Sequence, residues 1–322
     1  MKDEIMEKLK KILLQRLLYI AIIIGVIFIF KKCNDLLIIN SIKDKKIYVI
    51  HNYLFDDNEK IIIFQGTKKI DEFPANNATS LLSVENDKLY YLETNEEKQE
   101  NFVIQVNLKT KKVINRLKIP FETSVYYAKK INNKIYFSNY SNQETNVFFD
   151  GEYFRTQILY EFDIEKNKIT KILDYDTKGL PVISEKEIVY SKKNKIYLYD
   201  TETLESKYLV DGTYPFEKTE NEIYYEENKK FMVKNMKTNN KKVLFEKRGD
   251  FEGIPKKITG NLYLVMKIDV DNVFPNFAYI KLELWDNFSK NKLNLDKELL
   301  KNEIKEQKEG LNHLLDTSIL IY

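Results

Sequence analysis

Beyond residue 40 the chain alternates between apolar and polar positions in runs of four to seven residues, broken by clusters of Asn, Asp, Thr and Lys. Period-two alternation predicts half-buried strands, and the polar clusters predict tight turns, because Asx side chains bond their own backbone and tolerate left-handed geometry. One short pattern recurs, an aliphatic residue followed by Tyr or another large residue: "KIYV" at 46–49, "KLYY" at 88–91, "KIYF" at 134–137, "EIVY" at 187–190, "EIYY" at 222–225 and "NLYL" at 261–264. The spacings are 42, 46, 53, 35 and 39 residues. After each comes a second hairpin pattern, clearest in "IYLYDTETLESKYL" (196–209) and also in "FVIQVNLKTKKVINRL" (102–117), "LYEFDIEKNKITKIL" (159–173) and "FMVKNMKTNNKKVLF" (231–245).

Each unit therefore holds about four antiparallel strands, too few to bury their own faces. Stacked radially, neighbouring units bury one another, and the expected fold is an all-β, six- or seven-bladed β-propeller of four-stranded blades. The Tyr stripe reads as packing between blades. A glycine precedes the second strand at a constant offset in "GLPVISEKEI" (179–188), "GIPKKITGNL" (253–262) and "GLNHLLDTSI" (310–319). By this pattern the C-terminus supplies two inner strands of an incomplete blade, and "LLIINSI" (36–42) is expected as a strand closing the ring on them; six and seven blades both stay open. With these Ile-Tyr-x-Tyr and Asp-x-x-Thr patterns, residues 40–322 resemble bacterial propellers of the TolB-like and YncE-like kind. The resemblance implies the fold alone, and no family residue carries over.

Ahead of the repeats, "LLYIAIIIGVIFIF" (17–30) is uninterrupted apolar, and Ile12, Leu13 and Leu14 lengthen the stretch. Fourteen helical residues cover about 21 Å of a hydrocarbon core of about 30 Å. Residues 12–30 are expected to be an uncleaved transmembrane anchor in contact with the lipid bilayer, after a polar tail (1–11) and before a linker (31–35) and the propeller (36–322). Phe30-Lys31-Lys32 gives no small-residue cleavage site, and Lys32 before Cys33 does not fit lipid attachment. Lysines flank the segment on both sides, so the positive-inside rule is nearly balanced; a short tail before a large domain favours a single-pass protein of the cell membrane with its propeller on the extracytoplasmic side.

Insertions break the repeat at three places. "SNYSNQETNVFFDGEYFRTQ" (138–157) and "KIDVDNVFPNFA" (267–278) replace minimal turns between second and third strands, and "DKELLKNEIKEQKEG" (296–310) reads as a helix over about 296–309, capped by Asn294 or Asp296. All three fall on one face of the disc. Within the first, Asp150-Gly151 is a hairpin turn flanked by rings. The candidate partner-binding residues are Phe148, Phe149, Tyr153, Phe154, Phe274 and Phe277, either packed down on the blades or forming an aromatic patch for a partner.

Composition narrows the chemistry. The 322 residues carry net charge +3, 48 Lys against 4 Arg, 22 Tyr and 19 Phe, with only 9 Gly and 6 Pro. The charge is evenly spread and no Arg cluster offers forked phosphate contacts, so nucleic acid is not an expected partner. The Lys, Asn and Ile bias matches an AT-rich bacterial genome. With one cysteine and two histidines (His51 and His313), neither a disulfide nor a Cys/His zinc site is expected. "DVDN" (269–272) lacks the full ligand set and glycine of a calcium loop. No catalytic residue, metal or cofactor is assigned. The expected function is a binding or scaffold module for a protein or glycan; the alternative is a hydrolase or lyase acting on a polymer through carboxylates in the propeller channel. Three convergent acids in that channel would favour the alternative.

Overall fold

In the computed structural model the described residues are 16–17, 19–29, 32–33, 36, 40–51, 60–66, 68–95, 97–123, 125–140, 146–149, 152–176, 181–246, 255–260, 262–270, 277–286, 292–294, 301–303 and 319–321. The first sheet holds β1 (Lys46–His51), β2 (Lys60–Gln65) and β3 (Lys68–Pro74); the second holds β4 (Ala78–Glu85), β5 (Lys88–Asn95), β6 (Glu100–Asn107) and β7 (Val113–Ile119). The third is β8 (Tyr126–Ile131), β9 (Lys134–Tyr140), β12 (Gln157–Asp163) and β13 (Lys168–Tyr175), with a separate hairpin of β10 (Asn146–Phe149) and β11 (Glu152–Arg155) inserted between β9 and β12. The fourth is β14 (Val182–Ile183), β15 (Glu187–Lys192), β16 (Lys195–Asp200) and β17 (Ser206–Asp211), and the fifth is β18 (Thr213–Lys218), β19 (Glu222–Glu227), β20 (Lys230–Asn235) and β21 (Lys241–Glu246). The sixth contains β22 (Lys256–Thr259), β23 (Leu262–Val270), β24 (Phe277–Asp286), β25 (Lys292–Asn294) and β26 (Lys301–Glu303). The last strand, β27 (Ile319–Ile321), returns to the first sheet, whose order is β27-β1-β2-β3.

This is an all-β propeller of antiparallel blades, and the buried residues explain why it assembles. Each apolar cluster straddles two consecutive sheets. Tyr48, Ile61 and Ile63 meet Leu81, Leu89 and Ile104; Leu92 and Val103 meet Ile135, Phe137 and Phe162; Tyr136 and Leu159 meet Ile188 and Tyr190; Val189 and Ile196 meet Ile223 and Tyr225; Phe231 and Val233 meet Tyr263. The recurring tyrosines are thus packing residues between blades, as their spacing predicts. A fully buried Ile or Tyr of this kind stabilises the fold by about 1.5–3 kcal/mol over its exposed state.

The turns repeat as faithfully as the core. In sheets two to five an Asx residue ends the third strand and its side-chain oxygen takes two backbone N–H groups from the turn ahead: Asn107 from Lys109 and Thr110, Asp163 from Glu165 and Lys166, Asp200 from Glu202 and Thr203, Asn235 from Lys237 and Thr238. These are the local side-chain bonds that make Asn and Asp turn formers.

Three expectations need correction. Five sheets are four-stranded, not six or seven, and the sixth has five strands. Within the segment 36–42 the described residues, 36 and 40–42, are helical rather than strand, and the position beside β1 is filled by β27, with Ile47 opposite Ile321 and Val49 opposite Ile319. A short apolar run fits either geometry, and only the closure of the ring shows which strand takes that position. The expected helix at 296–309 gives way, within its described part, to strand β26, which pairs Lys301–Glu303 with Tyr279–Phe277. β24 is long and β25 covers only its far half, so the near half keeps an open edge that outweighs weak helix propensity. The expected anchor lies largely beyond test: among the described residues no helix is long and apolar enough to cross a membrane, and helical residues 19–29 lie inside the expected 12–30, whose residues 12–15, 18 and 30 lie outside the described ones.

Candidate binding face and channel rim

Antiparallel strands reverse direction at every step, so turns from the second to the third strand of a blade share one face of the disc, and turns from the first to the second share the other. Hairpin β10–β11 sits on the former. Its register pairs Val147 with Phe154, Phe148 with Tyr153 and Phe149 with Glu152, leaving Asp150-Gly151 between the arms, as the sequence implies; these two lie outside the described residues. Phe277 opens β24, where it pairs with Glu303, and Phe274 lies outside the described residues. The six candidate rings thus belong to insertions in two different sheets, the third and the sixth. The hairpin of β23 and β24 is also extended, with nine opposed pairs from Leu262–Asp286 to Val270–Ala278.

The opposite mouth of the channel has a charge pattern that sequence reading missed. At four successive blade boundaries a lysine from an inner strand is hydrogen-bonded or ion-paired to a neighbouring sheet. Lys130 on β8 reaches Glu85 on β4 at 2.7 Å; Lys129 on β8 donates to the Ile183 carbonyl on β14 at 3.0 Å; Lys218 on β18 meets Glu187 on β15 at 2.5 Å; Lys257 on β22 meets Glu217 on β18 at 3.6 Å. The signal was present as lysines placed at or shortly before the first turn in "AKKINN" (128–133), "EKTEN" (217–221) and "PKKITG" (255–260), but no single-chain periodicity says that they reach across blades.

Local electrostatics follow from crowding. Burial works against the charge of Glu85, yet the bonds from Lys130 and Ser83 outweigh it and hold its pKa below the usual carboxylate value. At Glu217 the balance reverses: burial dominates over Lys257 and pushes the carboxyl up. Burial lowers Lys129; solvent reaches its side chain, but protein crowds the ammonium. Beside Glu217, Tyr224 donates to Glu222 at 2.6 Å while accepting from Lys257 at 3.3 Å, and burial first, then Glu222, raises its phenol. Burial pushes Tyr263 up to about 12. These phenols stay protonated at neutral pH and act as hydrogen-bond links.

Among the described residues no group of three or more His, Cys, Asp or Glu side chains is placed to hold a metal ion. His313, Asp56, Asp57 and Asp271 lie outside the described residues; His51 sits in β1 opposite Lys60, and Asp269 in β23 opposite Tyr279. Asp174 pairs with Lys171 along β13 at 2.9 Å and Asp176 accepts from the Lys193 N–H at 2.7 Å, so both have structural partners.

No protein-family model and no curated protein matches the sequence. Several solved structures are similar to the chain. The β-propeller domain of the Trilobed protease from Pyrococcus furiosus is 14% identical with a TM-score of 0.46, covering 79% of this chain and 92% of that one. Pyrococcus horikoshii acylaminoacyl peptidase is 14% identical with a TM-score of 0.48, and the match covers 83% of this chain but 45% of the peptidase. A Lactobacillus plantarum protein is 11% identical with a TM-score of 0.43, covering 87% and 99%. Likeness at this level carries no argument about activity; the fold rests on the strand order above.

Proposed function

We propose that this chain is a membrane-tethered propeller that binds a protein or glycan partner through the face carrying the β10–β11 hairpin. The observation that carries the tether is the helical stretch 19–29: Tyr19, Ile20, Ile22, Ile23, Ile24, Val26, Ile27, Phe28 and Ile29 are each at least 46% exposed. Apolar side chains on every side of a helix need a nonpolar surrounding, and a contiguous apolar surface of that kind in water favours association. A bilayer supplies it on all sides at once. Insertions concentrated on a rigid scaffold support the binding role. The channel supports binding over hydrolysis, since its inner-strand carboxylates Glu85 and Glu217 are engaged by lysines.

Carbonate washing of membranes from cells expressing the full chain tests the tether: retention in the pellet is expected, and quantitative release would refute it. Protease shaving of intact cells tests the proposed extracytoplasmic placement, which protection of the propeller would overturn. For the face, in-cell crosslinking should capture a partner on the full chain and lose it on deleting 142–156, with unchanged Trp285 emission. Equal capture by both chains would refute the assignment.

A further inference from the structure

The same backbone bond recurs at one end of the first five sheets. The first residue after the third strand donates its N–H to the turn between the first and second strands: Leu108 to Asp87 at 2.9 Å, Ile164 to Asn133 at 3.0 Å, Thr201 to Lys186 at 2.9 Å and Met236 to Asn221 at 2.7 Å, in sheets two to five. In the first sheet the donor is Gly66 and the acceptor is the Lys45 carbonyl, at 2.9 Å. Lys45 belongs to no such turn there, because the inner strand β27 comes from the other end of the chain. It follows helical residues 40–42 after a turn at Lys43 and Asp44, and its own N–H closes on the Ile42 carbonyl at 2.8 Å. The end of the helix has taken the place of a blade turn.

The junction is packed as well as bonded. Ile42 is 0% exposed. Gly66 adopts φ +61°, and a Cβ there would lie 3.2 Å from the Lys43 Cα and 3.5 Å from the Ile42 carbonyl oxygen. The 3.2 Å approach is tighter than most side chains make, and φ +61° strains most L residues, so glycine suits both the turn and the contact. Every described residue from 16 to 42 is helical.

We infer that the helical end at residues 40–42 is docked on the first blade as part of the fold, on the face opposite to the β10–β11 hairpin, so that the N-terminal segment enters the disc from the side away from the insertion face. Combined with the membrane reading above, on which this last step rests, the partner meets the propeller on its bilayer-distal side and is an aqueous macromolecule rather than lipid of the same membrane.

Cys33, the single cysteine, is exposed and helical, which makes it a native spin-label site. Pulsed electron spin resonance on the full chain in detergent would pair it with a second label, Thr110→Cys on the helix side of sheet two or Glu97→Cys on the other. These two sites are separated by the length of β6, about 25 Å. Expected are narrow distance distributions for both pairs, with the Thr110→Cys distance the shorter, and broadening of both by Gly66→Ala. Broad distributions in the chain carrying Gly66, or a shorter Glu97→Cys distance, would overturn the docking. Release by carbonate would refute the tether and leave these distances standing. In nanodiscs with paramagnetic lipid headgroups, stronger relaxation at position 110 than at 97 is expected; the reverse would refute the bilayer-distal assignment.

Discussion

Asn101 offers the sharpest quantitative test of how adjacent blades are held. It is 0% exposed and lies at the second-to-third blade boundary. Its amide Nδ2 donates to the carbonyls of Phe121 at 3.2 Å and Thr123 at 2.8 Å. Its Oδ1 accepts from the Val125 N–H at 3.0 Å and the Thr94 hydroxyl at 3.3 Å. One side chain thus organises the whole connection 121–125. In Asn101→Ala the Val125 N–H, on a residue 1% exposed, loses this partner, and a buried orphan donor costs about 1–3 kcal/mol. The two carbonyls belong to half-buried residues that water can partly serve, adding about 1 kcal/mol together. The expected loss is therefore about 2–4 kcal/mol, read by urea unfolding in mild detergent. Trp285, the single tryptophan and 1% exposed, reports sheet six, and far-UV dichroism reports all strands. Asn101→Asp sharpens the test. A carboxylate would face two carbonyl oxygens, raising its folded pKa above the unfolded value near ~3.9. Its stability contribution would be present below that value and lost as pH rises, so this variant should compare worse with Asn101 at pH 7 than at pH 4. An alanine variant within about 0.5 kcal/mol of the parent would refute the accounting, since that is the scatter of substitutions without a buried role.

Three further outcomes follow from the geometry. Asp200→Ala removes the bonds to the Glu202 and Thr203 N–H groups at 2.8 and 2.9 Å, and thermal melts should show a loss of about 1 kcal/mol that Asp200→Asn restores. Gly212→Ala places a Cβ 2.5 Å from Tyr225 Cδ2 and 2.9 Å from the Glu226 carbonyl at φ +151°, and should cost at least about 2 kcal/mol by urea titration; a neutral result would show that the turn relaxes freely. For Glu217, burial raises the folded pKa, so its support for the fold is present below about pH 4.3 and falls as pH climbs through the raised value; the stability of the parent relative to Glu217→Gln should decline from pH 4 to pH 7, and an increase would show that Lys257 outweighs burial.

The repeat was legible because propeller physics is written at short range. Alternation at Lys88–Leu92 or Lys134–Ser138 marks strands whose two faces are covered by neighbours, and Asn107, Asp163, Asp200 and Asn235 mark turns through bonds made within three residues. The hairpin that opposes Phe149 and Glu152 was legible for the same reason. What escaped were contacts between residues far apart in sequence. Lys130 and Glu85 are 45 positions apart, and Asn101 acts on a connection 20 to 24 positions away, so neither leaves a periodic trace. Residues 301–303 formed a strand because β24 left an open edge, a fact set by the length of β25.

By itself, then, the sequence determined the strands, their turns, the repeat length and the apolar N-terminal segment, all of which depend on neighbours within a few residues. Ring closure was decided in three dimensions. Beside β1 lies one vacant inner-strand position, and β27 fills it because its own backbone then finds partners, while residues 40–42 stay helical and dock against Gly66. Local patterns cannot rank two apolar segments for one position; the hydrogen bonds and packing of the closed ring can.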